Sequence, residues 1–524
     1  MPSAIETTNG VHDGETEHQN GLHKIGLLGY SNGTTKDLSS AEIAGEVERY
    51  PDSGITVLIV GCGPGGLMSA LECWRKGCTV QLIDRAYAPV NTGDVFCLQP
   101  SCMSVYRHWP RMSKEIEEEQ YDAGISYWHN TGDRIYGPGP PEFNDAEALE
   151  GRKGPRVGFM QGRIKFFNML LRQVKRCGIP VTWGRRVVEY YEDEAVGLGG
   201  VVLESGEKLE ADVVIAADGI KTNSGKLIAG YTPEPKDSGQ SIYRAGYSPD
   251  FTRDDREVLE RWPTKQGDVP EWQFWLGAGL HLSAMVSNDM IVWGLTHKDE
   301  YAPDGTESWN ASVEPEEVVG LMERVAPGWH PAVSALLKTT PRGSLVHWKL
   351  RWRDLLQEWT SPGGRIVQVG DSAHSFLPAS GNGATQALED AISLASCLHV
   401  AGRNNVAIAT KVHNRLRYER VSCAQKMSFV NTQQHHFTDW NAIAENPKLI
   451  RTRFPSWVWK HDPEEYAYKK YGEGFLHVIS NGKSPLQNTN YPPGHTHKPW
   501  TVEQVRMDLL NNVNIGAGLD GDWS

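Results

Sequence analysis

Residues 55–84 read ITVLIVGCGPGGLMSALECWRKGCTVQLID. The run 55–61 is continuous and rich in β-branched residues, as strands covered on both faces of a parallel sheet are. Leu67, Ala70, Leu71 and Trp74 then fall at i, i+3, i+4, i+7, one face of a helix. Gly77 follows as its C-terminal cap, and 78–84 form a second strand. Between first strand and helix, Gly61, Gly63 and Gly66 satisfy GxGxxG. The first glycine permits the tight turn, the second lets backbone approach a pyrophosphate, and the third lets helix lie close on strand. The free N–H groups and positive dipole of the helix start favour phosphate. Asp84 ends the second strand, placed to accept ribose hydroxyls. An acid there repels a 2′-phosphate and suits NAD or FAD. The unit reads as a dinucleotide-binding βαβ of the Rossmann type.

Two later segments repeat a strand-end acid. A buried strand at 212–217 ends in Asp218 and Gly219, which alone would be a turn. The strand at 365–371 ends in Asp371, and GDSAHSFLPASGNGATQALEDA (370–391) then passes Pro378, Gly381 and Gly383 into a helix opening with Ala384. One nucleotide needs one phosphate cradle. A long cofactor such as FAD needs a second contact, with Asp371 accepting ribitol hydroxyls and the helix start facing the flavin ring. One ligand is therefore expected to touch both glycine-rich turns.

The 524 residues allow roughly two to four domains. At 39% hydrophobic and 22% charged, the composition is that of a globular chain rather than a disordered one. The net charge of -13 argues against a nucleic-acid partner. No apolar run approaches the ~20 residues of a membrane span, the polar N-terminus is neither signal nor transit peptide, and the C-terminus carries no anchor or peroxisomal signal. A cytoplasmic location is expected. Eight cysteines without a CxxC pair read as reduced, mostly packed thiols. Residues 1–53 read as a mobile arm and 93–160 as irregular. Residues 163–178 form an amphipathic helix with Ile164, Phe167, Leu170, Leu171 and Val174 on its apolar face.

Taken in order, GCGPGG, the strand-end Asp218–Gly219 and GDSAHSFLPASGNG resemble the single-component FAD-dependent aromatic monooxygenases of the para-hydroxybenzoate hydroxylase-like group. The third motif there is GD-x-A-H-x-x-x-P-x-x-G-x-G, and Gly370, Asp371, Ala373, His374, Pro378, Gly381 and Gly383 all match. TGDVFCLQPSCMSVYRHWPRM (92–112), FMQGRIKFFNMLL (159–171) and YRAGY (243–247) resemble enzymes of fungal natural-product pathways. The resemblance covers about 54–430. It implies an α/β fold: a Rossmann-type FAD-binding domain in two parts (54–234 and 356–435, the second with a C-terminal helix), an inserted β-sheet substrate domain (235–355), and an extension (436–524) outside the resemblance.

The resemblance also implies roles. Asp84 stands where the family usually has Glu. Gly93 and Asp94 correspond to backbone passing near the flavin, Arg163 to an arginine that contacts FAD, and Asp371 and Ala384 to later FAD contacts. Arg244 corresponds to a catalytic arginine beside the substrate. A second family position, often Tyr, should fall near 283–285, where this chain has LSAMVS; Tyr243 and Tyr247 are the nearby candidates for Arg244's partner. His374 is expected to be structural. The implied chemistry uses NADPH or NADH to reduce FAD, and O2 to form a flavin C4a-hydroperoxide. That oxidant passes one oxygen to a small aromatic substrate, phenolic or polyketide-like. Epoxidation of an alkene or indole, and Baeyer–Villiger insertion, use the same oxidant and stay open, as does a flavoprotein of another class: a reductase or an FAD-binding partner that does not activate oxygen. No WxWxIP segment supports a halogenase. His495 and His497 sit on a Pro/Gly loop without an acid or cysteine cluster, so no metal is expected. Trp272 and Trp275 are candidates to line a planar substrate's site.

Overall fold

A computed structural model describes residues 46–89, 93–150, 152–231, 233–264, 269–305, 313–436, 438–511 and 513–524. Residues 1–45 of the expected arm lie outside the described residues. Residues 46–53 run along the first helix, where Tyr50 and Ser53 donate N–H to the carbonyls of Arg75 (2.8 Å) and Gly77 (3.0 Å).

A parallel five-stranded sheet centres on β1 (Thr56–Val60). Strand β2 (Thr79–Ile83) lies on one side of it, then β7 (Val181–Thr182); β11 (Val213–Ala216) lies on the other, then β17 (Ile366–Gln368). Helix α1 (Pro64–Arg75) joins β1 to β2. Gly77 closes it at φ 87°, and a Cβ there would stand 2.0 Å from the Pro51 carbonyl oxygen. Helix α2 (Arg163–Arg176) buries Phe166, Met169, Leu170, Leu171 and Val174, while Ile164 and Phe167 are only half-buried. Its face is rotated from the expected one because Phe166 packs edge-on against Phe96, 5.4 Å between centroids. A three-stranded antiparallel sheet, β8 (Val187–Asp193), β9 (Leu198–Leu203) and β10 (Lys208–Ala211), covers Leu58, Val60 and Val214.

The second sheet has seven strands in the order β16 (Leu345–Trp352), β12 (Lys236–Tyr247), β15 (Ile291–Lys298), β14 (Leu280–Val286), β13 (Glu271–Gly277), β4 (Gly124–His129) and β5 (Arg134–Gly139). All its pairings are antiparallel except β13 with β4. Strands β3 (Val95–Cys97), β4 and β5 come from the segment 93–160 expected to be irregular, and β3 pairs with β6 (Met160–Gly162) at its end. Alternation along β12 sends Gln240, Ile242 and Arg244 to one face and Tyr243, Ala245 and Tyr247 to the other. That second face packs on α3 (Pro315–Val325) and α4 (Pro331–Lys338), with Trp275, Trp293 and Leu295 in the core.

Helices α5 (Gly383–Ala401) and α6 (Val406–His436) return to the first sheet. A Cβ on Gly65 of α1 would stand 3.4 Å from that of Ala387, so α5 lies directly against α1. Between α5 and α6, Glu389 and Asp390 pair with Arg417, and Glu389 with Arg420, all four fully buried. Arg420 and Arg417 outweigh burial at Glu389, and His374 with Arg417 does so at Asp390, holding both carboxyls well below the usual range. Past residue 436 the chain keeps regular structure. Helix α7 (Pro463–Ile479) brings Glu464 against Arg75 (2.5 Å), Lys76, Arg107 (2.8 Å) and His108 (2.7 Å). All eight cysteines are free thiols and seven are buried. Among the described residues, no helix is long and apolar enough to cross a membrane, and no cluster of three or more His, Cys, Asp or Glu side chains could hold a metal.

Candidate functional site

A cavity of about 420 Å³ lies between the C-terminal ends of the parallel strands and the face of the seven-stranded sheet that carries Arg244. The β1–α1 turn, the ends of β11 and β17, the loop before α5 and the start of α2 all open onto it. Of the residues singled out from sequence, Gly63, Gly66, Asp94, Arg163, Gly219, Arg244, Asp371, Pro378, Gly381, Gly383 and Ala384 line it. Gly61, Asp84, Gly93 and Asp218 do not. Each stands one step behind the wall. Gly61 takes φ 106°, and a Cβ there would lie 2.3 Å from the Ala217 carbonyl oxygen. Asp84 accepts N–H bonds from Cys62 (2.7 Å) and Ala86 (2.8 Å), tying the glycine turn to β2. Gly93, at φ 137°, lies under the Arg163 side chain. Asp218 accepts from the Tyr190 hydroxyl (2.8 Å) and Ser372 hydroxyl (3.1 Å), joining the ends of β11 and β17.

The glycine turn fits a pyrophosphate. A Cβ on Gly66 would lie 2.0 Å from the Gly61 carbonyl oxygen, so this glycine lets helix sit on strand. A Cβ on Gly63 would meet nothing within 4 Å, although Gly63 is part of the cavity wall. The space above it is open to the cavity. The first turn of α1 carries no acid and no capping side chain, so its positive end faces the cavity without a carboxylate of its own. At the other end, α5 holds the GD loop. Asp390 accepts the Gly370 N–H (2.9 Å) and pairs with His374 Nε2 (2.6 Å). His374 thus anchors the loop from inside the protein.

Charge at the site is organised around Asp94. Its Oδ1 accepts from Arg163 Nε (3.0 Å), and its Oδ2 from Arg244 Nε (2.7 Å) and Nη2. Burial alone would raise the Asp94 pKa, but the two arginines bring it below its ordinary value. Burial lowers that of Arg163. Asp371 is pushed up by burial, against the opposing pull of His374, Arg163 and Arg353. The carboxylate partner of Arg244 is therefore Asp94. Neither expected tyrosine lines the cavity: Tyr243 stacks on His297 and His347 on the far face of β12, and the Tyr247 hydroxyl donates to the Leu336 carbonyl (3.0 Å). Trp272 lines the cavity; Trp275 is fully buried behind the sheet. Sequence reasoning missed Phe159, Phe274, His281 and Phe454, which complete the wall. Alternation on β13 and β14 could have pointed to Phe274 and His281; nothing local marks the other two.

Two glycine-rich turns and an aromatic, arginine-bearing sheet face thus open onto one cavity, the arrangement of a flavin-dependent oxidoreductase. The FAD binding domain model matches residues 54–417. The chain is 51% identical over 480 residues to the FAD-dependent monooxygenase fsr3 of Gibberella fujikuroi, covering 91% of each chain. It is 50% identical over 527 residues to the FAD-dependent monooxygenase dmxR9 of Cryptosporiopsis sp., covering all of both. Among solved structures it resembles CtdE in complex with FAD and substrate, at TM-score 0.72 and 28% identity, covering 81% of this chain and 100% of that one. The chain belongs to the FAD binding domain family and is an FAD-dependent monooxygenase.

Proposed function

We propose that the chain hydroxylates a small aromatic molecule, phenolic or polyketide-like, in secondary-metabolite biosynthesis, with NADPH or NADH and O2 as co-substrates. The observation that carries this reading is the continuity of the cavity, from Gly63 through Asp371 to Arg244 and Trp272. Gly63 and the α1 N-terminus would hold the pyrophosphate of FAD, Asp371 its ribitol hydroxyls, and Arg163 and the Pro378–Ala384 loop its ring end. Bound FAD supplies the electrons and the oxygen activation. Arg244 donates hydrogen bonds to the substrate's oxygen and stabilises a phenolate electrostatically. Asp94 fixes its guanidinium from behind. The aromatic face orients the ring and keeps water out.

The test is oxygen uptake and NAD(P)H consumption over a panel of phenols, with product mass spectrometry. A gain of one oxygen on an aromatic carbon is expected; ring expansion or an epoxide redirects the reading. Arg244→Ala should keep its flavin and lose about 100-fold or more in turnover. Unchanged turnover would remove Arg244 from the mechanism.

A further inference from the structure

The region beyond α6 reaches the cavity through Thr452 and Phe454. The three-residue segment that carries them is held from three directions. The Tyr127 hydroxyl of β4 accepts the Thr452 N–H (2.7 Å) and bonds Thr452 Oγ1 (3.1 Å). Asn431 of α6 accepts the Arg453 N–H (3.2 Å), and Glu142 accepts that of Phe454 (3.2 Å). Such a segment is a fixed wall, not a lid. The Phe454 ring meets Phe159 edge-on at 5.8 Å, Phe159 meets Trp272 at 6.1 Å, and Trp272 meets Phe274 at 6.3 Å. These are the separations at which aromatic edges and faces attract. The four rings make one belt, and all four line the cavity. At the belt's other end Phe454 comes within 3.5 Å of where a Cβ on Gly381 would stand, beside the loop assigned above to the flavin ring.

We infer that Phe454 is a specificity-determining residue: through it the C-terminal extension completes a substrate wall that favours planar fused-ring phenols over single-ring ones. The inference rests on the hydroxylase reading. Arg244 lies in register with Gly294, Ser283 and Phe274, so the belt begins three strands across the sheet from it, and a single ring held at Arg244 stops short of Phe454. A second or third fused ring has to extend along the belt, and gains the Phe454 contact.

The test uses the full-length, flavin-loaded protein. Kd values for phenol and 2-naphthol are read from the perturbation of flavin absorbance, together with product formed per NAD(P)H. Phe454→Ala should raise the Kd of 2-naphthol about tenfold, leave that of phenol within about twofold, and leave flavin content unchanged. Its coupling should fall with 2-naphthol. Phe454→Trp, which fills space, should turn preference toward phenol. Should the alanine variant fail to fold, Phe454→Leu keeps an apolar side chain with less loss of volume, loses the ring, and gives the same ratio to read. A naphthol-to-phenol ratio that stays put in the variants, even with lowered thermal stability, overturns the inference, because a purely structural role moves both ligands alike. A wild-type protein that holds flavin yet binds neither phenol overturns the hydroxylase reading first, and this inference with it.

Discussion

His297 of β15 and His347 of β16 flank β12 on the core face of the sheet, stacked against Tyr243 at centroid distances of 5.1 and 4.0 Å. The His297 Nδ1 to Lys298 carbonyl contact of 2.8 Å requires a proton on that nitrogen. Its Nε2 is then the acceptor for His347 Nε2, 3.1 Å away. Two neutral rings satisfy this arrangement, and a charged His297, protonated on both nitrogens, does not. Burial lowers both; for His347, burial with His297 and Lys349 beside it brings the pKa down to about 4. An unfolded histidine titrates near 6.5, so between roughly pH 6.5 and 4 the unfolded chain binds more protons than the folded one. Stability is therefore full above that window and falls as pH drops through it, by on the order of 3 kcal/mol for His347. Denaturant unfolding at pH 7.5 and pH 5 should show a smaller acid loss in His347→Gln than in the wild type. Parallel losses in the two proteins would sink this account.

At the scale of the element, the β1–α1 turn separates packing from ligand binding. Gly66→Ala drives a methyl into the Gly61 carbonyl, so α1 must lift from β1 and the variant should be destabilised as well as flavin-free. Gly63→Ala places its methyl in open cavity and Gly63 has φ -66°, so the fold should survive while flavin is lost. Thermal melts and flavin absorbance on the two purified variants check this; equal melting losses would refute the division. The same contrast shows what could be read from sequence. The β1–α1–β2 unit was legible because its whole signal sits in thirty consecutive residues, and Gly383 as the start of α5 for the same reason. Arg244 was found only through the resemblance. The side-chain role of Asp94 was not legible, since its partners are 69 and 150 residues away. Nor was the place of β4 in the sheet, because its parallel pairing with β13 has no turn to announce it, although the β4–β5 hairpin turns locally at 130–133. Phe454 was not legible either, because it lies in the extension outside the resemblance and its ring partner Phe159 is distant in sequence.

Across the whole molecule, the extension is clamped to the nucleotide-binding unit by Glu464. Burial disfavours its charge, but His108, Arg75 and Lys76 keep its pKa well below the usual carboxylate range. Removing it takes from the buried Lys76 its carboxylate and leaves the ammonium the Tyr468 hydroxyl (2.7 Å), while the buried Arg75 keeps Glu72 (2.7 Å). Glu464→Gln should therefore cost about 3–5 kcal/mol in denaturant unfolding. A variant with the wild-type midpoint would show that α7 docks by apolar contact alone. The order of the five-stranded sheet has a further consequence during synthesis. The two neighbours of β1 are encoded at 79–83 and 213–216, and the strand beyond β11 at 366–368. A nascent chain leaving the ribosome can pair β1 with β2 at once, but the other flank of β1 stays bare until more than a hundred further residues have been translated. Over that interval the sequence VLIV presents an uncovered apolar edge, which makes this point of elongation the one where a chaperone would matter most.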